Sequence, residues 1–330
     1  MAQEAYDLAP YSPAAQFEYA VSKMSVGKPE ESVPVIKALV ERFPNSEKAM
    51  ELLAQAYNQT SDAEALEATL GDIMQLFSEA VIARVALARI HLKNKDFDAA
   101  KKLASELVQS EQGQADGYAL LGDISFSQNA IPEALVAYQK AHEETPTTQS
   151  LLKLYAAHQQ TSGGLGMLDG WLVEHDDDVP VRITKAIADI STGRESEAIS
   201  QYKKVLEIMP EHIVALNNLA WIFDQRKDEQ AIEYAQRAYE AAPNRAEIAD
   251  TYGWIMLRKG STQQVVELLS KATDGAPDNA NIVYGGTQTS PVIPQLNGRP
   301  LPGNEFVKFS LPVSAMQNAK GPYKVIDNRE

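Results

Sequence analysis

The stretch Ala215-Leu216-Asn217-Asn218-Leu219-Ala220-Trp221-Ile222-Phe223, followed by Ala231, Tyr234, Ala238 and Pro243, decides the fold. Apolar residues recur on one helical face through the first segment. Small residues then recur at Ala231 and Ala238 on a second segment, with Tyr234 between them. Pro243 ends that second helix and sets the turn that follows. One repeat on, Asp250-Thr251-Tyr252-Gly253-Trp254-Ile255-Met256 is followed by Leu269, Ala272 and Pro277. Pro210, Pro243 and Pro277 are thus spaced by 33 and 34 residues. Far upstream, Pro44 and Pro146 lie three steps of 34 apart. A period of about 34 residues built from two helices is the mark of stacked helical hairpins. A single hairpin cannot bury its apolar face alone, so neighbours must stack and leave a concave surface.

The hairpins predicted from this period run over 13–44, 46–78, 79–112, 113–146, 148–178, 178–210, 211–243 and 244–277. The fourth is the most regular of the early ones, with Tyr118, Leu121 and Gly122, then Ala134, Tyr138, Ala141 and Pro146. Gly122 and its equivalents Ala54, Ala88, Ala220 and Gly253 are small so that two helices can approach, and bulky neighbours fill the remaining gaps. The fifth hairpin is shortened and interrupted at Ser162-Gly163-Gly164, making the array irregular near 161–180. The first helix of the sixth (Ile183, Ala186, Ile187, Ile190) is weakly patterned. Residues 1–12 read as an irregular lead-in, with Pro10 and Pro13 delaying the first helix. A ninth hairpin begins after Pro277 and stops at Gly285-Gly286. The expected domains are therefore a lead-in over 1–12, a solenoid over 13–284 and an extended, Pro/Gly-rich, non-helical tail over 285–330. Within the tail, Val307–Leu311 alternates like a short strand.

Composition narrows the function. The chain has 330 residues, 44% hydrophobic and 23% charged, with a net charge of −15. Such acidity argues against a nucleic-acid binder, which needs a basic face to displace counterions from phosphates. There is no cysteine, which removes disulfides, thiolate zinc sites and cysteine nucleophiles. The first residues show neither a basic region nor an apolar core, so no signal peptide is visible. A cytoplasmic protein or a mature form with a new initiator Met fits that start.

The two C-terminal repeats quoted above resemble the tetratricopeptide repeat (TPR), and the resemblance extends over about 13–284. It implies an all-α, right-handed superhelical solenoid of about eight hairpins. Leu219-Ala220-Trp221, Ala238-Tyr239-Glu240-Ala241-Ala242-Pro243-Asn244 and Asp250–Ile255 also resemble the TPR lipoproteins of PEP-CTERM/exosortase loci. Leu120-Leu121-Gly122-Asp123 and Trp171-Leu172-Val173-Glu174-His175 fit the same group. That likeness implies bacterial exopolysaccharide or envelope assembly and a periplasmic or envelope-associated place. The lipidated cysteine of that family is absent here, and its members are usually longer.

Catalytic chemistry has little to stand on. None of the five histidines is paired at the i, i+4 spacing of a helical metal site. His175 beside Asp176-Asp177-Asp178 is the one cluster with possible ligands, and it reads equally as a solvated turn capping the next helix. Gly163-Gly164-Leu165-Gly166 lacks the lysine of a phosphate loop. The expectation is a non-enzymatic protein-interaction scaffold with no cofactor and no metal. The alternatives are a cytoplasmic TPR adaptor or co-chaperone, and an enzyme accessory subunit that takes its own tail as ligand.

In a stacked array the first helix of each hairpin lines the concave face. Counting from the small-residue slots, the peptide-binding candidates are Asp123, Phe126, Asn217, Trp221, Asp224, Asp250 and Trp254. Earlier repeats add Glu51, Gln55, Asn58, Val85 and Arg89. The Asn217 amide can both donate to and accept from a peptide backbone. Trp221 and Trp254 offer flat, rigid area of the kind found at hot spots. Asp224 and Asp250 favour a basic ligand. The tail carries five Lys/Arg against three Asp/Glu, while residues 1–284 total −17 (25 minus 42). Residues 290–325 are thus a candidate ligand for a concave groove, their own or a neighbour's. A disordered tail, or a foreign one replacing the ninth repeat, fits the same sequence.

Overall fold

A computed structural model of the chain describes residues 2–161 and 163–259. The calls on 260–330 (the second half of the eighth hairpin, the start of a ninth, the strand and the tail) lie outside the described residues. The chain divides into two compact units, Met1–Ser150 and Leu151–Glu330.

In the first unit a short helix α1 (Ala2–Leu8) precedes four hairpins. These are α2 (Pro13–Ser25) with α3 (Pro29–Arg42), α4 (Glu47–Thr60) with α5 (Ala63–Leu76), α6 (Val81–Lys93) with α7 (Phe97–Gln109), and α8 (Gln114–Ser127) with α9 (Ile131–Glu144). Helix α10 (Thr148–Gln159) carries the boundary between the units. In the second unit α11 (Leu165–Glu174) follows, then α12 (Val179–Ser191) with α13 (Glu195–Ile208), α14 (Ile213–Gln225) with α15 (Gln230–Ala241), and α16 (Ala246–Arg258). The described residues contain no strand. First helices begin at residues 13, 47, 81, 114, 148, 179, 213 and 246, in steps of 34, 34, 33, 34, 31, 34 and 33. The chain is thus all-α and built of TPR-like hairpins. The step of 31 falls where Ser162-Gly163-Gly164 interrupts the pattern.

The turn inside each hairpin is built the same way. Gly27, Ser61, Lys95 and Asn129 in the first unit, and Gly193 and Lys227 in the second, adopt left-handed backbone, with φ between 57° and 75°. Within each unit these positions are 34 residues apart. The residue after each one donates its N–H to the carbonyl five residues back: Asp62 to Tyr57 at 3.0 Å, Asp96 to His91 at 2.8 Å, Asp228 to Phe223 at 2.8 Å. This is the Schellman closure of a helix C-terminus. The same residue then often caps the next helix. Asp62 and Asp96 accept from the N–H three residues on, both at 3.2 Å. Each such cap stabilises its helix by about 1 kcal/mol.

Packing depends on the small-residue slots. A Cβ at Gly122 would stand 2.4 Å from the ring of Tyr138, across the hairpin on α9. Tyr138 is itself buried, and its hydroxyl donates to Asp123 at 2.8 Å. Gly117 serves a closer approach. Its Cβ would meet the backbone N of Val108 at 2.6 Å and the carbonyl of Ala104 at 2.7 Å, both on α7. Ala54, Ala88 and Ala134 in the first unit, and Ala220 in the second, are buried in equivalent slots. The first unit's core consists of layers between successive helices, such as Leu103, Leu107, Leu120 and Ile124 between α7 and α8.

Two sequence expectations are corrected. The lead-in over 1–12 is not irregular, because Ala2–Leu8 is helical. Gln3 bonds Asp7 one turn on at 3.0 Å, and the Tyr6 ring stacks on Tyr19 of α2 at 4.3 Å. The weak pattern of the sixth hairpin has a structural source. Helix α12 buries Arg182, Lys185 and Asp189 along with its apolar residues. Asp189 is fully buried and accepts from Lys185 at 3.0 Å and Arg194 at 2.9 Å, while Lys185 also reaches Asp169 at 3.1 Å. Burial alone pulls the Lys185 ammonium down, but its two carboxylate partners outweigh that and leave it raised.

Candidate functional site

The first unit contains a groove of about 750 Å³ bounded by α4, α5 and α6. Its existence follows from the stacking. Helix α2 packs against α4, and α6 against α8, whereas α4 and α6 stand further apart. One wall is the face of α4 that presents Glu51, Ala54, Gln55 and Asn58. The other is the face of α6 that presents Ile82, Ala86, Arg89, Ile90 and Lys93. Both sets follow the i, i+3, i+4, i+7 spacing of a single helical face. Leu66, Leu70 and Ile73 of α5 close the apolar floor. Ile82 is 72% exposed, an aliphatic side chain left uncovered at the edge of the groove.

Four of the five early-repeat candidates, Glu51, Gln55, Asn58 and Arg89, line this groove together. Val85 does not, because it points into the core shared with Ala88, Leu103 and Leu107. Counting from the small-residue slots missed Ile82, Ala86 and Lys93 on the same helix. The helical spacing from Arg89 was the available signal, since Ala86 and Lys93 lie three and four residues to either side of it.

The remaining candidates are placed differently. Asp123 is held by the Tyr138 hydroxyl, and Phe126 packs near the Tyr138 ring with centroids 6.5 Å apart. Both belong to the α8–α9 interface. In the second unit Asn217 and Asp250 are each 4% exposed, and Asp224 is also buried. The expectation that these three face an open groove is therefore corrected. Helices α14 and α16 pack directly against one another and cover this face. Trp221 is partly buried and packs on the core that includes Leu219, Phe223 and Ile255. Trp254 is also partly buried and lies under the Arg258 guanidinium at 5.3 Å. Arg258 in turn donates to Asp224 at 2.6 Å. Asp224, Trp254 and Arg258 form one cluster across α14 and α16.

Burial dominates the electrostatics of this second cluster. It pushes the Asp250 carboxyl up to about 7. It also raises Asp224, although Arg258 pulls the other way. The Oδ1 of Asn217 is buried without a hydrogen-bond partner.

The acidic turn after α11 is used locally. His175 stacks on Trp171 with ring centroids 3.9 Å apart, and the Trp171 indole N–H donates to Asp178 at 2.8 Å. Asp178 caps α12 through the N–H of Val181, and the Asp176 carbonyl accepts from Arg182. Among the described residues no group of three or more His, Asp or Glu side chains could hold a metal ion. No described helix is long and apolar enough to cross a membrane.

No curated protein matches the chain. Solved structures resemble it at the level of fold. MamA is 17% identical, with 53% of this chain and 98% of that chain covered and a TM-score of 0.42. Human IFIT1, from its dimer with m7Gppp-AAAA, is 14% identical, with 84% and 66% covered and a TM-score of 0.49. The APC/C hetero-tetramer Cut9-Hcn1 is 13% identical, with 83% and 55% covered and a TM-score of 0.48. The family model described as "Tetratricopeptide repeat-like domain" matches residues 6–158, which take in the whole α4–α6 groove.

Proposed function

We propose that this protein is a non-enzymatic scaffold that holds a polypeptide segment of a partner in the α4–α6 groove. The observation that carries the proposal is the groove itself. It combines an apolar floor, an uncovered aliphatic side chain at Ile82, and exposed amides and charges on both walls. Sites that hold ligands share this mix of apolar lining and a few convergent polar groups. The described titratable clusters are engaged in caps and ion pairs, which favours binding over turnover.

The test places a photo-crosslinking amino acid at Gln55 in the groove, and separately at Lys102 on the exposed face of α7. Expressed in the native host, the Gln55 variant is expected to give a discrete protein adduct that the Lys102 variant does not. Adducts of equal yield at both positions, or at neither, would refute groove binding.

We place the scaffold in bacterial exopolysaccharide or envelope assembly, on the likeness of the Leu219-Ala220-Trp221 and Asp250–Ile255 segments to exosortase-associated TPR proteins. Fractionation of the native full-length protein tests this. Recovery solely with cytoplasmic markers would move it to the adaptor or co-chaperone reading. The self-ligand reading puts residues 290–325 in a groove as an accessory-subunit arrangement. The tail's +2 charge does not complement a lining that holds Arg89 and Lys93 against Glu51.

A further inference from the structure

Arg89 and Lys93 are unusual in this molecule. The chain carries −15 overall, yet this groove presents two exposed cations on one face of one helix. Other charges of α6 are spent within the protein. Arg84 approaches Glu106 at 3.8 Å and donates to the Ser78 carbonyl at 2.6 Å, and His91 lies 3.5 Å from Asp96. Among the described residues Arg89 and Lys93 take part in no ion pair or ring contact.

The groove is also polarised along its length. By the 34-residue step Glu51 on α4 corresponds to Val85 on α6, one turn before Arg89. Gln55 corresponds to Arg89 itself. One end of the trough therefore holds a carboxylate and the exposed Ile82, and the other holds two cations faced by amides. A ligand that fits must be aliphatic towards the Ile82 end and anionic towards the Lys93 end.

The spacing can be taken further. Arg89 and Lys93 are four residues apart on a helix, a rise of about 6 Å. In an extended chain, side chains two residues apart share a face and stand about 6.6 Å apart. An extended segment with carboxylates at alternate positions therefore meets both cations. An aliphatic residue on the same face, two or four positions away, then reaches the floor of Leu66, Leu70 and Ile73.

We propose that the α4–α6 groove selects an extended acidic segment, Asp/Glu-x-Asp/Glu beside an aliphatic anchor, from a partner protein. This rests on the scaffold reading above and specifies the ligand for it. Charge complementarity of this kind gives specificity and salt-sensitive association.

The experiment selects random twelve-residue peptides by phage display on the full-length protein. The enriched peptides are then measured by fluorescence polarisation against wild type and the R89E/K93E double variant. Both side chains are exposed, so the variant is expected to melt as wild type does. Acidic–aliphatic peptides are expected to enrich. Their affinity should fall at least tenfold in the double variant, and should fall as salt rises from about 50 to 500 mM. Enriched peptides without acidic excess, or with unchanged affinity for the variant, overturn the charge selection and leave the scaffold reading intact. Enrichment solely after removal of residues 285–330 makes the chain's own tail the occupant and overturns an acidic partner. No enrichment on either form overturns both readings.

Discussion

Replacing Asp250 with Asn should stabilise this protein, and the gain should grow with pH. Asp250 is 4% exposed on α16, and burial lifts its carboxyl from 3.8 to about 7. The folded state therefore holds a proton that the unfolded chain releases above pH 4. The contribution of that protonated carboxyl is complete below pH 3.8 and is lost as pH rises through about 7. Each pKa unit is worth about 1.36 kcal/mol, so the full penalty is about 4 kcal/mol. An asparagine is neutral throughout and escapes it. Relative to wild type, Asp250→Asn should gain about 1 kcal/mol at pH 4.5 and about 4 kcal/mol at pH 8.

Because repeat arrays unfold segment by segment, the assay should read α16 itself. Amide hydrogen exchange of peptides from 246–258, compared at matched pH, does so. At pH 8 the variant's α16 amides should exchange up to about a thousandfold more slowly, provided they exchange through opening of that helix. Asp224, raised in the same direction, is present in both proteins and cancels in the comparison. A variant whose protection at pH 8 is no greater than wild type, or whose gain is equal at pH 4.5 and pH 8, would refute the reasoning.

Other consequences can be checked by denaturation. Lys95→Gly and Lys227→Gly should each stabilise by about 0.5–1 kcal/mol. Relief of left-handed strain gives about 1–2 kcal/mol, and the freer unfolded chain returns about 0.4–1 kcal/mol of it. The same change at Lys93, which is helical, should destabilise by about 1 kcal/mol. Gly122→Ala should cost about 1–3 kcal/mol through overpacking against the Tyr138 ring. Gly117→Ala should cost more, because backbone atoms at 2.6 and 2.7 Å cannot swing aside. Lys185→Ala should cost about 3 kcal/mol, at the low end for a broken buried pair because Arg194 stays on Asp189. Urea titrations of each variant beside wild type give these values, and a wrong sign in any of them contradicts the local geometry.

What the sequence discloses and what it hides have different physical origins. The hairpin fold was legible because steric slots repeat. Gly122, Ala54, Ala88 and Ala220 recur where helices must touch, and the prolines mark where second helices end. The left-handed turn position was not read, although it recurs every 34 residues, because Ser61, Lys95, Asn129 and Lys227 share no side-chain chemistry. What they share is a backbone angle, which composition does not encode. The site divides in the same way. Glu51, Gln55, Asn58 and Arg89 were placed by register alone, and register holds wherever the period holds. Asn217, Asp224 and Asp250 occupy the corresponding faces of α14 and α16, and by the same count they should be open. They are buried because those two first helices pack together, whereas α4 and α6 stand apart. Register says which face a residue is on; the spacing between successive first helices says whether that face is a groove or an interface. That spacing is a tertiary property. In this protein it turns one repeated surface into a candidate ligand site in the first unit and into a buried, pH-sensitive contact in the second.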